Sequence, residues 1–212
     1  MPLLKPLLSF DTAGHRLSVG LAVDKNIITN QETITHSHSD ILLPMIKKTI
    51  NMADIKINDI KTILITLGPG SFTGIRVGIA AAMGLGFATN INLYGIDNLS
   101  ARALGHLQHH AYYEDKNFLV LADSRRDEIF YQRYLFSIAQ KKMIPLMPDI
   151  DMASKDILLK KYKNDEVLTG DVVMADMLGV LLSQDKHYGA GDFISDHLSP
   201  LYGRKPDVIK MR

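Results

Sequence analysis

Residues 62–89 constrain this chain more than any other stretch. Thr62-Ile63-Leu64-Ile65-Thr66-Leu67 is β-branched and apolar, the pattern of a buried strand, and it runs directly into Gly68-Pro69-Gly70-Ser71-Phe72-Thr73-Gly74. Ser71 or Thr73 is placed to cap a helix that continues to Thr89. That helix carries Gly74, Gly78, Gly84 and Gly86, each costing about 1 kcal/mol relative to alanine, so packing must offset them. Gly74, Gly78, Ala82 and Gly86 recur at i+4 spacing, a flat ridge that admits another backbone, with Ile75, Ile79, Met83 and Phe87 as an apolar ridge beside it. The two ridges together predict a helix with almost no solvent face.

A chain of 212 residues with 46% hydrophobic content can bury one sizeable core or two units of about 100 residues each. The formal charge of +1 argues against a surface devoted to nucleic acid. Without cysteine there is no disulfide framework, thiolate zinc site or cysteine nucleophile, which fits a reducing compartment. The first eight residues hold two prolines and lack the apolar core of a signal peptide. Between Arg76 and Thr89, within the expected helix, lie only twelve uncharged residues, Val77 to Ala88, short of the roughly 20 that span a bilayer. The expectation is a soluble, cytoplasmic protein with no membrane role.

Taken in order, Leu7 to Phe10 reads as a strand ending in the polar turn Asp11-Thr12-Ala13-Gly14, Leu17 to Val23 as its hairpin partner, and Ile27 to Ile34 as a third antiparallel strand. Ile41, Leu42, Met45, Ile46, Thr49 and Ile50 form a helical apolar stripe, with Pro44 accommodated if the first turn begins near Leu43. Strand 62–67, the glycine helix and strand Ile91 to Ile96 make a parallel crossover unit. Three meandering strands, a helix and two helix-linked strands predict an RNase H-like mixed sheet. Asn98 to His110 reads as helix. A second, smaller unit follows: strands at 118–122 and 129–135, a third near 143–147, a helix over 151–162, a short strand at 167–169 and a helix over 173–182. The expected units are residues 1–111 and 112–197, with 198–212 rejoining the first.

The glycine loop sits where free amides and a helix dipole converge, which suits an anion. A P-loop, however, needs Lys and Ser or Thr after its last glycine, and Gly74 is followed by Ile75 and Arg76. The dinucleotide spacing is missed by one residue, although Asp97 follows the next strand as a ribose-binding acid would. Ser71 is no nucleophile elbow, because Pro69 occupies a required glycine place. Asp11, Gly68, Gly70 and Ser71 therefore stand as a residual nucleotide or phosphate site, weighed against a tight turn and close packing. His36 with His38, and His106 with His110 at i+4, are candidate metal pairs, weighed against solvated histidines. Arg125, Arg126, Asp127 and Glu128 read as a solvated hairpin turn, and Arg204, Lys205, Lys210 and Arg212 as a basic tail.

Leu67-Gly68-Pro69-Gly70-Ser71-Phe72-Thr73-Gly74-Ile75-Arg76-Val77-Gly78, with Phe10-Asp11-Thr12-Ala13, His38 to Pro44, Asp123 to Phe130 and Pro200-Leu201-Tyr202-Gly203-Arg204 in the same order, resembles the TsaB (YeaZ) family of bacterial tRNA threonylcarbamoyladenosine biosynthesis proteins. The resemblance implies an α/β, actin-like (ASKHA) fold of two RNase H-like units with mixed sheets flanked by helices. It also implies a non-catalytic paralogue of the catalytic subunit TsaD. TsaD-like proteins carry a metal-binding His-x-x-x-His in the helix after the strand matching Ile91 to Ile96, and the corresponding positions here are Asn98 and Arg102. No catalytic residue, metal or cofactor is expected on that basis.

The family's implied role is a scaffold and activator of TsaD in threonylcarbamoyl transfer to adenosine of tRNA. A TsaE-like ATPase joins the assembly, tRNA is met indirectly through it, and a homodimer uses the same face when the partner is absent. The expected partner face comprises Leu42, Met45 and Ile46 on the first helix and Thr73, Gly74, Arg76, Val77, Gly78 and Ala81 on the glycine helix. The competing class is a nucleotide-binding ATPase or kinase of the same fold, with Asp11 and the glycine loop on its phosphates. A third is a dinucleotide-dependent enzyme using Asp97.

Overall fold

The computed structural model describes residues 3–34, 37–124, 127–183 and 188–202. Its element order is β1 (Leu7–Asp11), β2 (Arg16–Val23), β3 (Asn26–Thr33), α1 (His38–Met52), β4 (Thr62–Thr66), α2 (Phe72–Thr89), β5 (Asn92–Ile96) and α3 (Asn98–His106). There follow β6 (Lys116–Asp123), β7 (Glu128–Ser137), β8 (Lys142–Pro145), β9 (Asp151–Ser154), α4 (Lys155–Lys161), β10 (Glu166–Leu168) and α5 (Met174–Leu182).

The first sheet has the order β3-β2-β1-β4-β5. The hairpin strands β1, β2 and β3 are antiparallel, and β4 and β5 join them in parallel with β1. This is the mixed sheet that the meander and the strand–helix–strand unit predict. The second sheet runs β10-β6-β7-β8, with β9 also pairing β7.

Alternation along the strands sorts the side chains into layers. From the first sheet, Leu8, Phe10, Ile63 and Ile65 point toward α1 and α2, joining Leu42, Met45, Ile46, Ile75 and Ile79 in one core. On its other side Leu7, Leu64 and Tyr94 join α3 and α5 and continue to Phe118, Val120 and Tyr134 of the second sheet. Helices α3 and α5 thus lie between the sheets, and Leu119, Leu121 and Tyr131 pack outward against Leu158 of α4.

Four elements depart from expectation. Helix α1 begins at His38, so Pro44 lies inside it and not in its first turn. The buried stripe Leu42, Met45, Ile46, Thr49 and Ile50 offsets the roughly 3 kcal/mol that an interior proline costs. Residues 151–154, expected as helix, are strand β9, because Ala153 and Met152 register against Ile129 and Phe130 of β7. Helix α3 ends at His106, short of His110.

The largest difference concerns α2. Gly74, Ile75, Gly78, Ile79, Ala82 and Gly86 are buried, but Met83 is 56% and Phe87 96% exposed. The helix has an open, apolar outer face where almost none was expected. It is also the one helix among the described residues long and apolar enough to cross a membrane by length and composition, with a mean hydropathy of 1.3 over 18 residues.

Candidate functional site

The ends of β1 and β4, the glycine loop and the start of α3 meet the β6–β7 end of the second sheet around a cavity of about 440 Å³. Asp11, the last residue of β1, lies at its floor and is fully buried. Its Oδ1 accepts hydrogen bonds from the Ala13 amide (2.9 Å), the Thr66 hydroxyl (2.5 Å) and the Asn98 side-chain amide (3.2 Å). Its Oδ2 has no partner among the described residues. Burial pushes the Asp11 carboxyl above the usual carboxylate range, against the lowering effect of those three donors, and Asp171 pushes it further up.

Asn98 ties this acid to the glycine loop. Its Oδ1 accepts from the Gly68 amide at 2.9 Å while its own backbone amide donates to the Gly68 carbonyl at 2.8 Å. The Ser71 amide donates to the Ala13 carbonyl at 2.8 Å, and Ser71 Oγ caps α2 by accepting from the Gly74 amide at 3.2 Å. The amides of Gly68, Ser71 and Gly74 are therefore already engaged within the protein, unlike those of an open phosphate cradle. A Cβ at Gly70 would overlap the Ala13 carbonyl oxygen, so this glycine serves close approach of the β1–β2 turn. Of the expected phosphate-site residues, Asp11, Gly70 and Ser71 line the cavity and Gly68 does not.

Arg102 on α3 reaches the same space and donates to the Leu121 carbonyl, while its Nε–H has no partner among the described residues. Burial lowers its pKa from the usual guanidinium value, and the charges of Asp11 and Asp171 oppose that shift. A divalent cation does not fit here: Asn98 spends its amide oxygen on Gly68 and its amide nitrogen on Asp11, and Arg102 brings a permanent positive charge. Lys155 and Asp171 also line the cavity, and Asp171 accepts from the His15 amide at 3.0 Å. At the rim, His15 and Asp123 pair at 3.2 Å between the β1–β2 turn and the end of β6.

Other sequence candidates fall elsewhere. Asp97 is the N-cap of α3, its carboxylate accepting from the Ser100 amide at 2.8 Å, a structural duty in place of a ribose contact. His106 engages the Tyr112 hydroxyl (2.7 Å) and Glu166 (3.0 Å), with the His110 ring stacked on it at 4.0 Å. No group of three His, Asp or Glu among the described residues is arranged for a metal. His36, Arg125, Arg126, Arg204, Lys205, Lys210 and Arg212 lie outside the described residues.

The expected partner face divides in two. Leu42, Met45 and Ile46 are core residues of α1, at most 6% exposed. Gly74 and Gly78 face Thr12, whose carbonyl oxygen and Oγ1 would overlap a Cβ at those positions. These five residues point into the fold because the apolar stripe of α1 and the small-residue ridge of α2 are the faces that seat the helices on the sheet. Thr73 and Arg76 are exposed, and Val77 and Ala81 half-buried. Arg76 stacks over Phe72 at 3.9 Å and donates to the Tyr202 hydroxyl at 2.9 Å. Sequence reasoning did not single out Lys155 or Asp171 for the cleft; neither carries a local motif, and only tertiary folding brings them to Asp11.

Residues 23–163 match the model of the family described as TsaD, tRNA N6-adenosine threonylcarbamoyltransferase. The chain is 32% identical over 129 residues to a tRNA threonylcarbamoyladenosine biosynthesis protein TsaB of Buchnera aphidicola subsp. Schizaphis graminum, covering 61% of this chain and 60% of that one. It is 31% identical over 130 residues to the Escherichia coli K12 protein of the same name, covering 60% and 54%. The matches thus span between about half and three fifths of those relatives. In structure it is similar to YeaZ from Pseudomonas aeruginosa, with a TM-score of 0.71 at 19% identity, over 92% of this chain and 98% of that one. A crystal structure of a protein with similarity to peptidase YeaZ from Pseudomonas aeruginosa gives a TM-score of 0.74 at 19% identity, over 95% and 100%. The two-sheet, actin-like architecture and the family match agree, and the relatives that the chain is similar to carry the TsaB and YeaZ names: the chain belongs to the family described by the TsaD model.

Proposed function

We propose that this chain is a non-catalytic scaffold that binds and activates a TsaD-like subunit in threonylcarbamoyl transfer to adenosine of tRNA. The observation that carries the reading is the outer face of α2, where Phe72, Met83 and Phe87 stand 53%, 56% and 96% exposed on a helix with no charge beyond Arg76. An apolar helix face of this kind marks a partner surface. Thr73, Arg76, Val77 and Ala81 belong to it, and on α1 the large apolar residues that reach solvent are Leu43 and Met52. The Asn98–Arg102 pair supports the non-catalytic part, since neither residue suits the metal that the resemblance places there.

In this reading a TsaE-like ATPase joins the assembly, tRNA is reached through it, the same α2 face forms a homodimer when the partner is missing, and the protein works in the cytoplasm. The proposed units remain residues 1–111 and 112–197, with the return of the chain supported by Leu201 N–H donating to the Leu67 carbonyl at 2.8 Å. Co-expression with the TsaD-like protein of the same organism tests the scaffold role. The two should co-elute, and transfer to tRNA should require both. Full transfer by the TsaD-like protein alone would overturn it.

A second reading, a nucleotide-dependent ATPase or kinase, draws on Asp11 at the cleft floor. Isothermal titration with ATP and magnesium separates the two, because micromolar binding with turnover by this chain alone favours the enzyme.

A further inference from the structure

The cleft between the sheets holds two buried polar atoms of opposite demand. Asp11 Oδ2 is a hydrogen-bond acceptor without a donor, and Arg102 Nε–H a donor without an acceptor, among the described residues. Both residues line the same cavity of about 440 Å³, within the range of small-ligand sites. A buried carboxylate oxygen left unmet costs free energy in proportion to its desolvation, so an unmet oxygen on a residue that lines a cavity marks a place for a donor. Oδ1 of the same carboxylate already takes three donors, which fixes the group's orientation and leaves Oδ2 as its one unmet acceptor.

The charges around the cavity narrow the ligand class. Among the described residues a phosphate-rich anion meets Asp11, Asp123, Asp127, Glu128 and Asp171 against Arg102 and Lys155, and the Gly68, Ser71 and Gly74 amides of the glycine loop are spent. A bare divalent cation meets Arg102. A ligand carrying both signs meets both unmet demands, its ammonium toward Asp11 and its carboxylate toward Arg102.

We propose that this cleft binds a small zwitterion of the free α-amino acid class. The site is independent of the α2 face, so it stands or falls separately from the scaffold reading.

Thermal-shift measurements on the full chain test it, with the common L-α-amino acids one at a time at millimolar concentration as probes. Acetate, ethylamine and magnesium–ATP at the same concentration are the comparison arms. At least one amino acid should raise Tm by a few degrees, as expected for a ligand present well above its Kd, while acetate and ethylamine should not. Asp11→Asn should abolish the shift. Lys155→Ala, at an exposed position that leaves the fold intact, should weaken the affinity roughly tenfold and serves if Asp11→Asn does not fold. No shift with any amino acid, an equal shift with acetate, or a shift undiminished in Lys155→Ala overturns the proposal. Stabilisation by magnesium–ATP alone would return the cleft to the nucleotide reading.

Discussion

The two faces of α2 are made from the same short apolar vocabulary and do opposite things. Inward, Gly74 and Gly78 let the Thr12 backbone and hydroxyl approach until no Cβ fits, and Thr12 Oγ1 donates to the Gly74 carbonyl at 2.7 Å. Outward, Gly84 has open space around it and Phe87 is nearly fully exposed. Glycines at i+4 spacing therefore do not by themselves mark a helix–helix contact. Here they seat a helix on a strand-end turn, and that same turn carries Asp11 into the cleft.

The sharpest break in this comparison comes from the inner face. Gly78→Leu should destabilise the chain by about 3 kcal/mol in chemical denaturation, because the Thr12 hydroxyl that a Cβ would strike is fixed by its bond to Gly74. From sequence alone the same change leaves a folded monomer that no longer pairs if Gly78 faces a partner, and unfolds the chain by overpacking if Gly78 faces the sheet. The buried position of Gly78 selects the second outcome, a loss of stability, and a Gly78→Leu chain of undiminished stability that no longer pairs would show that the small-residue ridge faces a partner after all.

Smaller by a factor of about three is the loss expected from Thr12→Val. It keeps the shape and removes the buried donor to the Gly74 carbonyl, at a cost of about 1 kcal/mol. An unchanged denaturation midpoint would mean that close packing alone, without the hydroxyl, holds α2 in place.

The mixed character of the first sheet and the α2 cap were legible because they are written locally: a hairpin meander, a strand–helix–strand unit, and a serine three residues before Gly74 whose hydroxyl accepts its amide. The orientation of α2 was not. Its inner face is decided by Thr12, 62 residues away, and a sequence that offers two ridges does not say which one meets the turn. The stripe of α1 was read correctly as a helix face, but an apolar stripe signals burial before it signals a partner, and Leu42, Met45 and Ile46 are spent on the core. Strand β9 was missed because Asp151-Met152-Ala153-Ser154 has little intrinsic β pattern and is strand only through its pairing with β7. In the cleft, Asp11 was visible at a strand end, whereas Arg102, Lys155 and Asp171 become neighbours only when the two sheets close on each other.

Arg76 sits between the two faces and sharpens the comparison on a finer scale. Its guanidinium over Phe72 and its bond to Tyr202 hold the returning segment against the start of α2. Arg76→Ala should cost only about 0.5 kcal/mol, the scale of an exposed cation–π contact. A loss near that of Gly78→Leu would mean that the returning segment is part of the core that seats α2.

The smallest effect on stability belongs to the outer face, and it is the one that bears on function. Phe87 is 96% exposed, so Phe87→Asp removes almost no buried area and should move the denaturation midpoint by no more than about 0.5 kcal/mol. If the outer face is the partner surface, the same change places a carboxylate in the middle of a desolvated apolar contact, and size-exclusion chromatography should show pairing with the TsaD-like subunit, and the homodimer, lost together. Pairing that survives Phe87→Asp and Met83→Lys in one chain would detach the exposed apolar face from the scaffold role. Loss of pairing with an unchanged midpoint would show a helix whose two faces are separable: glycines that hold it to its own turn, and aromatic residues that offer it to another protein.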